Sequence, residues 1–143
     1  MNNIISNTIY DCSGYCNNGT ITGSLITSNN TPRYDKCTVF NTHEWIKSSY
    51  VPKMQEEFTC SWWFTIKNPY GERQGVMLSN YAGDNAGSFI EIEVLNGYLR
   101  IHFSDEIKNT KSWIPVKLIA NKQYFLGLTY KNHTFTLYLY YDG

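Results

Sequence analysis

Residues Ser88–Asp105 read SFIEIEVLNGYLRIHFSD. Two runs alternate apolar and polar residues on either side of Asn96-Gly97, and Asn-Gly favours a two-residue type I′ turn because both residues tolerate φ > 0. Such a turn fixes the register. Leu95 faces Tyr98, Val94 faces Leu99, Glu93 faces Arg100, Ile92 faces Ile101, Glu91 faces His102 and Ile90 faces Phe103. The apolar members then share one face, which must be core, while Glu91, Glu93, Arg100 and His102 share the other, with Glu93 opposite Arg100 as a cross-strand ion pair. A slip of one residue would turn the apolar set to water.

The same alternation recurs along the chain. Phe58 to Ile66, FTCSWWFTI, points Phe58, Cys60, Trp62, Phe64 and Ile66 one way and leaves Trp63 among Thr59, Ser61 and Thr65 on the other. Tyr124–Tyr130 and Phe135–Tyr141 form a last hairpin over Lys131-Asn132-His133. Further strands are expected at Thr20–Ile26, Lys36–Asn41, Trp45–Val51 and Gly75–Asn80, with Cys37, Val39 and Phe40 against the core. Glu106–Ser112 is expected as a loop, and Trp113–Leu118 as an edge or irregular strand interrupted by Pro115. Asp11-Cys12-Ser13-Gly14 is a turn in which Asp and Ser side chains bond nearby backbone N–H groups. No stretch carries a helical stripe, and short strands with turns every eight to twelve residues or so indicate an all-β antiparallel sandwich. The closing Asp142-Gly143 is one more hairpin signal and predicts a further strand, from additional chain or from a partner.

The chain has 143 residues, the size of one domain with a real core. Aromatic residues, at 16%, nearly match the 17% that are charged, and the formal net charge is zero. Nothing basic asks for a nucleic-acid backbone, and no apolar run approaches the length of a membrane span. The start, MNNIISNTIY, lacks the basic and apolar regions of a signal peptide. Cys12, Cys16, Cys37 and Cys60 have no zinc-type spacing and the three histidines are scattered. Cys60 reads as a small buried hydrophobe, and a Cys12–Cys16 disulfide across Gly14 is compatible with an extracellular setting.

In order, YDCSGYCNNGTITG, TPRYDKCTVFN, EFTCSWWFTIKNP, GVMLSN, SFIEIEVLNGYLRIHF and YFLGLTYKNHTFTLYLYYDG resemble a laminin-G-like domain of the concanavalin A-like lectin/glucanase superfamily, of the kind found in bacterial and bacteriophage surface proteins. The resemblance spans nearly the whole chain, residues 1–143, as a single laminin-G-like domain, part of a longer protein or short of its last strand. It implies an antiparallel jelly-roll β-sandwich of two sheets, one concave, in an extracellular or virion-surface setting. It departs from the pattern in its missing last strand and its long final hairpin.

Glycosidases on this fold place three acids at alternate strand positions, and a retaining pair needs its carboxyls about 5–5.5 Å apart. Glu91 and Glu93 alternate correctly, but the third position is Phe89. Arg100 and His102 opposite them hold carboxylates ionised rather than raising a pKa, and no nucleophile-elbow motif is present. A non-catalytic module is therefore expected, binding carbohydrate through flat aromatic faces and polar side chains. Tyr81, Trp113, Trp63 and Tyr70 are the candidate aromatics, Asp84 and Asn85 the candidate loop polar groups, and Glu91, Glu93, Arg100 and His102 the candidate groove face. Asn80, Asp84 and Asn85 carry oxygens that suit Ca²⁺; no other cofactor is implied. The expected partners are a glycan or neighbouring virion or surface-protein subunits, with a homo-oligomer compatible. The alternative is a structural decoration or spacer module that makes protein contacts without binding sugar.

Overall fold

In the computed structural model Asn96 and Gly97 have φ of 51° and 84°, the left-handed pair that the turn requires. The strands around them, β9 (Phe89–Leu95) and β10 (Tyr98–Ser104), pair in the register read from the sequence. Gly97 is constrained twice. Besides its positive φ, a Cβ there would come within 3.0 Å of the Tyr70 ring, and its carbonyl accepts the Leu118 N–H at 2.7 Å.

The structure describes residues 4–5, 7–24, 26–28, 37–41, 43–49, 57–70, 75–79, 89–104 and 109–141. They form β1 (Ile4–Ile5), β2 (Thr8–Ile9), β3 (Gly19–Thr22), β4 (Ile26–Ser28), β5 (Cys37–Val39), β6 (Trp45–Ser48), β7 (Phe58–Thr65) and β8 (Gly75–Ser79). After the β9–β10 hairpin come β11 (Asn109–Lys117), β12 (Gln123–Lys131) and β13 (Thr134–Tyr141). Every pairing among them is antiparallel, so the all-β expectation holds. The chain divides into two compact units, Met1–Val51 and Pro52–Gly143.

In the second unit β8, β9, β10 and β11 lie side by side in one sheet and β7, β12 and β13 in another, with β12 central. The two sheets share one apolar core. Ile92, Leu99 and Ile101 from the first meet Tyr124, Leu126 and Leu128 from the second, with Leu118 among them. The rings of Phe103 and Phe135, 4.5 Å apart, join the two sheets. Alternation explains the sorting: Phe58, Cys60, Trp62, Phe64 and Ile66 all pack against this core, as do Phe135, Leu137 and Leu139. Partial burial pushes the Cys60 thiol pKa up, as suits a small apolar side chain.

Two expectations need correction here, and a third, the interruption at Pro115, holds. The polar stretch 109–112, expected as a loop, belongs to β11, because its backbone pairs with β10 from Thr110↔Phe103 to Ser112↔Ile101. The irregularity at Pro115 is real: the register jumps between Arg100↔Trp113 and Tyr98↔Lys117, where proline has no N–H for the ladder. The last hairpin turns on two residues rather than three. Lys131 pairs with Thr134, and Asn132 and His133 both take positive φ, 48° and 57°, completing a second I′-like turn.

In the first unit β1, β2, β3 and β6 form one sheet and β4 pairs with β5. The run expected as one strand over Thr20–Ile26 is broken by Gly23, at φ 94°, and Phe40, expected against the core, is exposed. Glu44 gathers the neighbouring backbone, its carboxylate accepting the N–H groups of Ser24 at 3.1 Å and Asn41 at 2.6 Å. Cys12 and Cys16, both exposed, are not joined by a disulfide.

Between β2 and β3 the Asp11 carboxylate accepts the Ser13 hydroxyl at 2.6 Å, the Ser13 N–H at 2.8 Å and the Asn17 N–H at 3.0 Å. These bonds favour the charged form and hold the Asp11 pKa below its ordinary 3.8, the Ser13 hydroxyl contributing most. A depressed folded-state pKa means that the turn's contribution is fully present above pH 3.8. It is lost as pH falls from there through the folded value. In a carboxyl-carbon NMR titration Asp11 is expected to have its midpoint below 3.8, with the Ser13 and Asn17 amide shifts moving in step; a midpoint at or above 3.8 would show that the turn does not hold in solution.

Candidate functional site

The outward positions of the β8–β11 sheet gather most of the polar candidates. Cross-strand register sets Arg100 between Glu93 on β9 and Trp113 on β11. A salt bridge joins Arg100 Nη2 to Glu93 Oε1. The guanidinium carbon lies 5.7 Å from the centre of the Trp113 ring, a cation–π distance. Glu93 is only 1% exposed, so its charge is tolerable because the guanidinium sits against it. Glu91, also buried, pairs across with His102. The two acids thus lie low in this face, below the more exposed Trp113, Arg100 and His102. The Trp113 indole is 50% exposed.

Trp63 stands elsewhere. It lies on the outward side of the β7–β12–β13 sheet and is not alone among small residues as its own strand suggests. Register places Phe125 beside it and Tyr140 beyond Phe125. The Trp63 and Phe125 rings are 5.1 Å apart, inclined at 54°. One step along the strands, Tyr138 lies opposite Gly127. Phe125, Tyr138 and Tyr140 were not among the sequence candidates, although Tyr138 and Tyr140 alternate with Leu137 and Leu139 on the side away from the core. At the end of this sheet a cavity of about 430 Å³ opens beside Thr59 and Thr129, spanned by a Glu57–Lys131 salt bridge of 3.3 Å.

Trp63 and Trp113 therefore sit on different sheets and do not converge. Tyr70 serves the fold: its hydroxyl donates to the Leu118 carbonyl at 3.1 Å, and its ring covers Gly97 with the Lys117 ammonium 5.2 Å from the ring centre. Tyr81, Asp84 and Asn85, and with them Asn80 of the candidate calcium loop, lie outside the described residues.

No family model, curated protein or solved structure matches this chain. The β8–β11 face offers one flat, half-exposed aromatic ring beside a cation that its neighbours hold in place. The β7–β12–β13 face offers several rings among uncharged side chains. Both arrangements suit stacking against an apolar ring face with hydrogen bonds at its margin.

Proposed function

We propose that this chain is a non-catalytic carbohydrate-binding module, a laminin-G-like jelly roll carried at a phage virion or bacterial surface. The observation that carries the reading is the half-exposed Trp113 indole beside Arg100, which the Glu93 carboxylate holds in position. A sugar ring stacks on such a face through its C–H groups, and Arg100 and His102 supply donors to its hydroxyls. One ring gives weak binding, which several copies on a surface convert to avidity. The acids do not suit glycoside cleavage, since Glu93 is committed to Arg100 and buried.

A glycan array with the whole chain, with and without calcium, tests this. Binding to one glycan class is expected, and Trp113→Ala should weaken it about tenfold or more, in line with losing one well-placed aromatic contact and its neighbour. Equal binding by wild type and Trp113→Ala would remove Trp113 from the site, while loss on chelation alone would bring in Asn80, Asp84 and Asn85. The second reading, a decoration or spacer module held by protein contacts, draws on Phe40 and Trp45, large apolar side chains that are both half-exposed in the first unit. A folded chain that binds no glycan would favour it.

A further inference from the structure

We infer that the outward face of the β7–β12–β13 sheet is a second saccharide site, a strip that takes a neutral, unbranched oligosaccharide, with Tyr138 and Tyr140 as its stacking rings. The inference rests on the carbohydrate reading for its class of ligand, but on none of the residues that carry that reading.

Four aromatic side chains from three strands meet there. Trp63, Phe125 and Tyr140 occupy one line across the sheet, each on a neighbouring strand, and Tyr138 lies one step along β13. Tyr138 and Tyr140 are two residues apart on one strand, about 6.8 Å along it, so the two open rings can meet neighbouring sugars of one chain. The inner part of the row is packed: Trp63 is half-buried, with Phe125 in contact beside it. The outer part is open, Tyr138 being 58% and Tyr140 52% exposed. A core would have buried these rings, and alternation explains why it does not: Leu137 and Leu139 on either side of Tyr138 take the inward positions.

Gly127 shapes the surface. A Cβ there would lie 3.5 Å from the Phe125 ring and 3.7–3.8 Å from Tyr138, so both side chains rest against bare backbone. Cross-strand aromatic cover of a strand glycine keeps the rings low on the sheet. That leaves a shallow face rather than a deep slot, the shape an elongated saccharide needs.

Charge decides the class of ligand. From Thr59 to Thr65 on β7, Gln123 to Thr129 on β12 and Thr136 to Tyr140 on β13, the outward positions carry no charged side chain. Threonine, serine and glutamine supply the polar groups. At one end of the strip the charges of Lys131 and Glu57 are matched to each other. Among the described residues an acidic polysaccharide or an anionic peptide would find no cation at these outward positions, whereas a neutral sugar needs none.

The test is isothermal titration of the whole chain with cellohexaose, laminarihexaose, maltohexaose and mannohexaose, with hexagalacturonate as the acidic comparison. At least one neutral hexasaccharide is expected to bind, and hexagalacturonate is not expected to bind at this strip. Affinity should change less than about twofold between roughly 0.05 and 0.5 M salt, since no ion pairs are made. The double variant Tyr138→Ala/Tyr140→Ala should weaken binding about tenfold or more, each stacking ring being worth roughly two- to tenfold. Tyr138→Phe should keep most of the affinity. Tyr138, Tyr140 and Trp113 are all exposed, and circular dichroism should show variants at these positions folded. Trp113→Ala separates the two sites: if it abolishes neutral-sugar binding while the tyrosine double variant binds normally, the strip is wrong and the Trp113 site stands. Binding that survives Trp113→Ala and fails in the tyrosine double variant supports the strip. Failure of every neutral hexasaccharide overturns the strip, as does a self-associating chain whose dimer, but no sugar response, is lost with Tyr138 and Tyr140.

Discussion

Arg100→Met is expected to destabilise the second unit by about 3 kcal/mol, the lower end of what removing one partner from a buried ion pair costs. Glu93 is almost wholly shielded from water, whereas the Arg100 side chain keeps 21% of its exposure, which places the cost low in that range. Removing the guanidinium takes from the buried carboxylate the cation that lies opposite it. The loss should be visible as a lower urea midpoint with the slope unchanged. The companion variant separates charge from packing. In Glu93→Leu/Arg100→Met neither charge remains, and replacing a buried pair by apolar side chains is often neutral or stabilising. The double variant should therefore return to within about 1 kcal/mol of wild type. If Arg100→Met alone stays within about 0.5 kcal/mol, the pair is solvated and its part in positioning the Trp113 site falls with it.

Leu126→Ala should cost about 3–4 kcal/mol. Leu126 is fully buried on the central strand of its sheet, level with Trp62 on β7 and Leu139 on β13. Truncation removes three buried carbons and leaves a void that strands held by ladders on both sides close poorly. Tyr138→Ala, on the adjacent strand but facing outward, is the matched control and should shift stability by about 0.5 kcal/mol or less. Similar losses from both, read by thermal or urea unfolding, would show that the two faces of this sheet are not distinguished as described.

What could be read from the chain follows how local each signal is. The β9–β10 register was legible because Asn96-Gly97 sets it and both flanking strands alternate cleanly. The inward sets of β7 and β13 were legible for the same reason. Residues 109–112 were not, because edge-strand backbone pairs with β10 whatever its side chains are, and a polar edge looks like a loop. The Asn132–His133 turn was not, because its second central position carries histidine where the usual I′ signal has glycine. In the candidate sites, Glu93 opposite Arg100 followed from the hairpin, but its burial did not, since alternation alone places it on the water side. The aromatic row is the clearest case. Trp63, Phe125 and Tyr140 are far apart in sequence and become neighbours only through the lateral register of three strands, so a strand read by itself shows Trp63 surrounded by threonine and serine.

The order of strands has a consequence for assembly. β9–β10 and β12–β13 each close over two residues, so their contacts are local. The β7–β12 ladder is different: the whole β8–β11 meander lies between its strands in the chain, and pairing them carries the loop-closure entropy of everything enclosed. That ladder brings Trp63 to Phe125. The surface on which those rings meet Tyr140 thus depends on a non-local ladder and is present in none of the local hairpins.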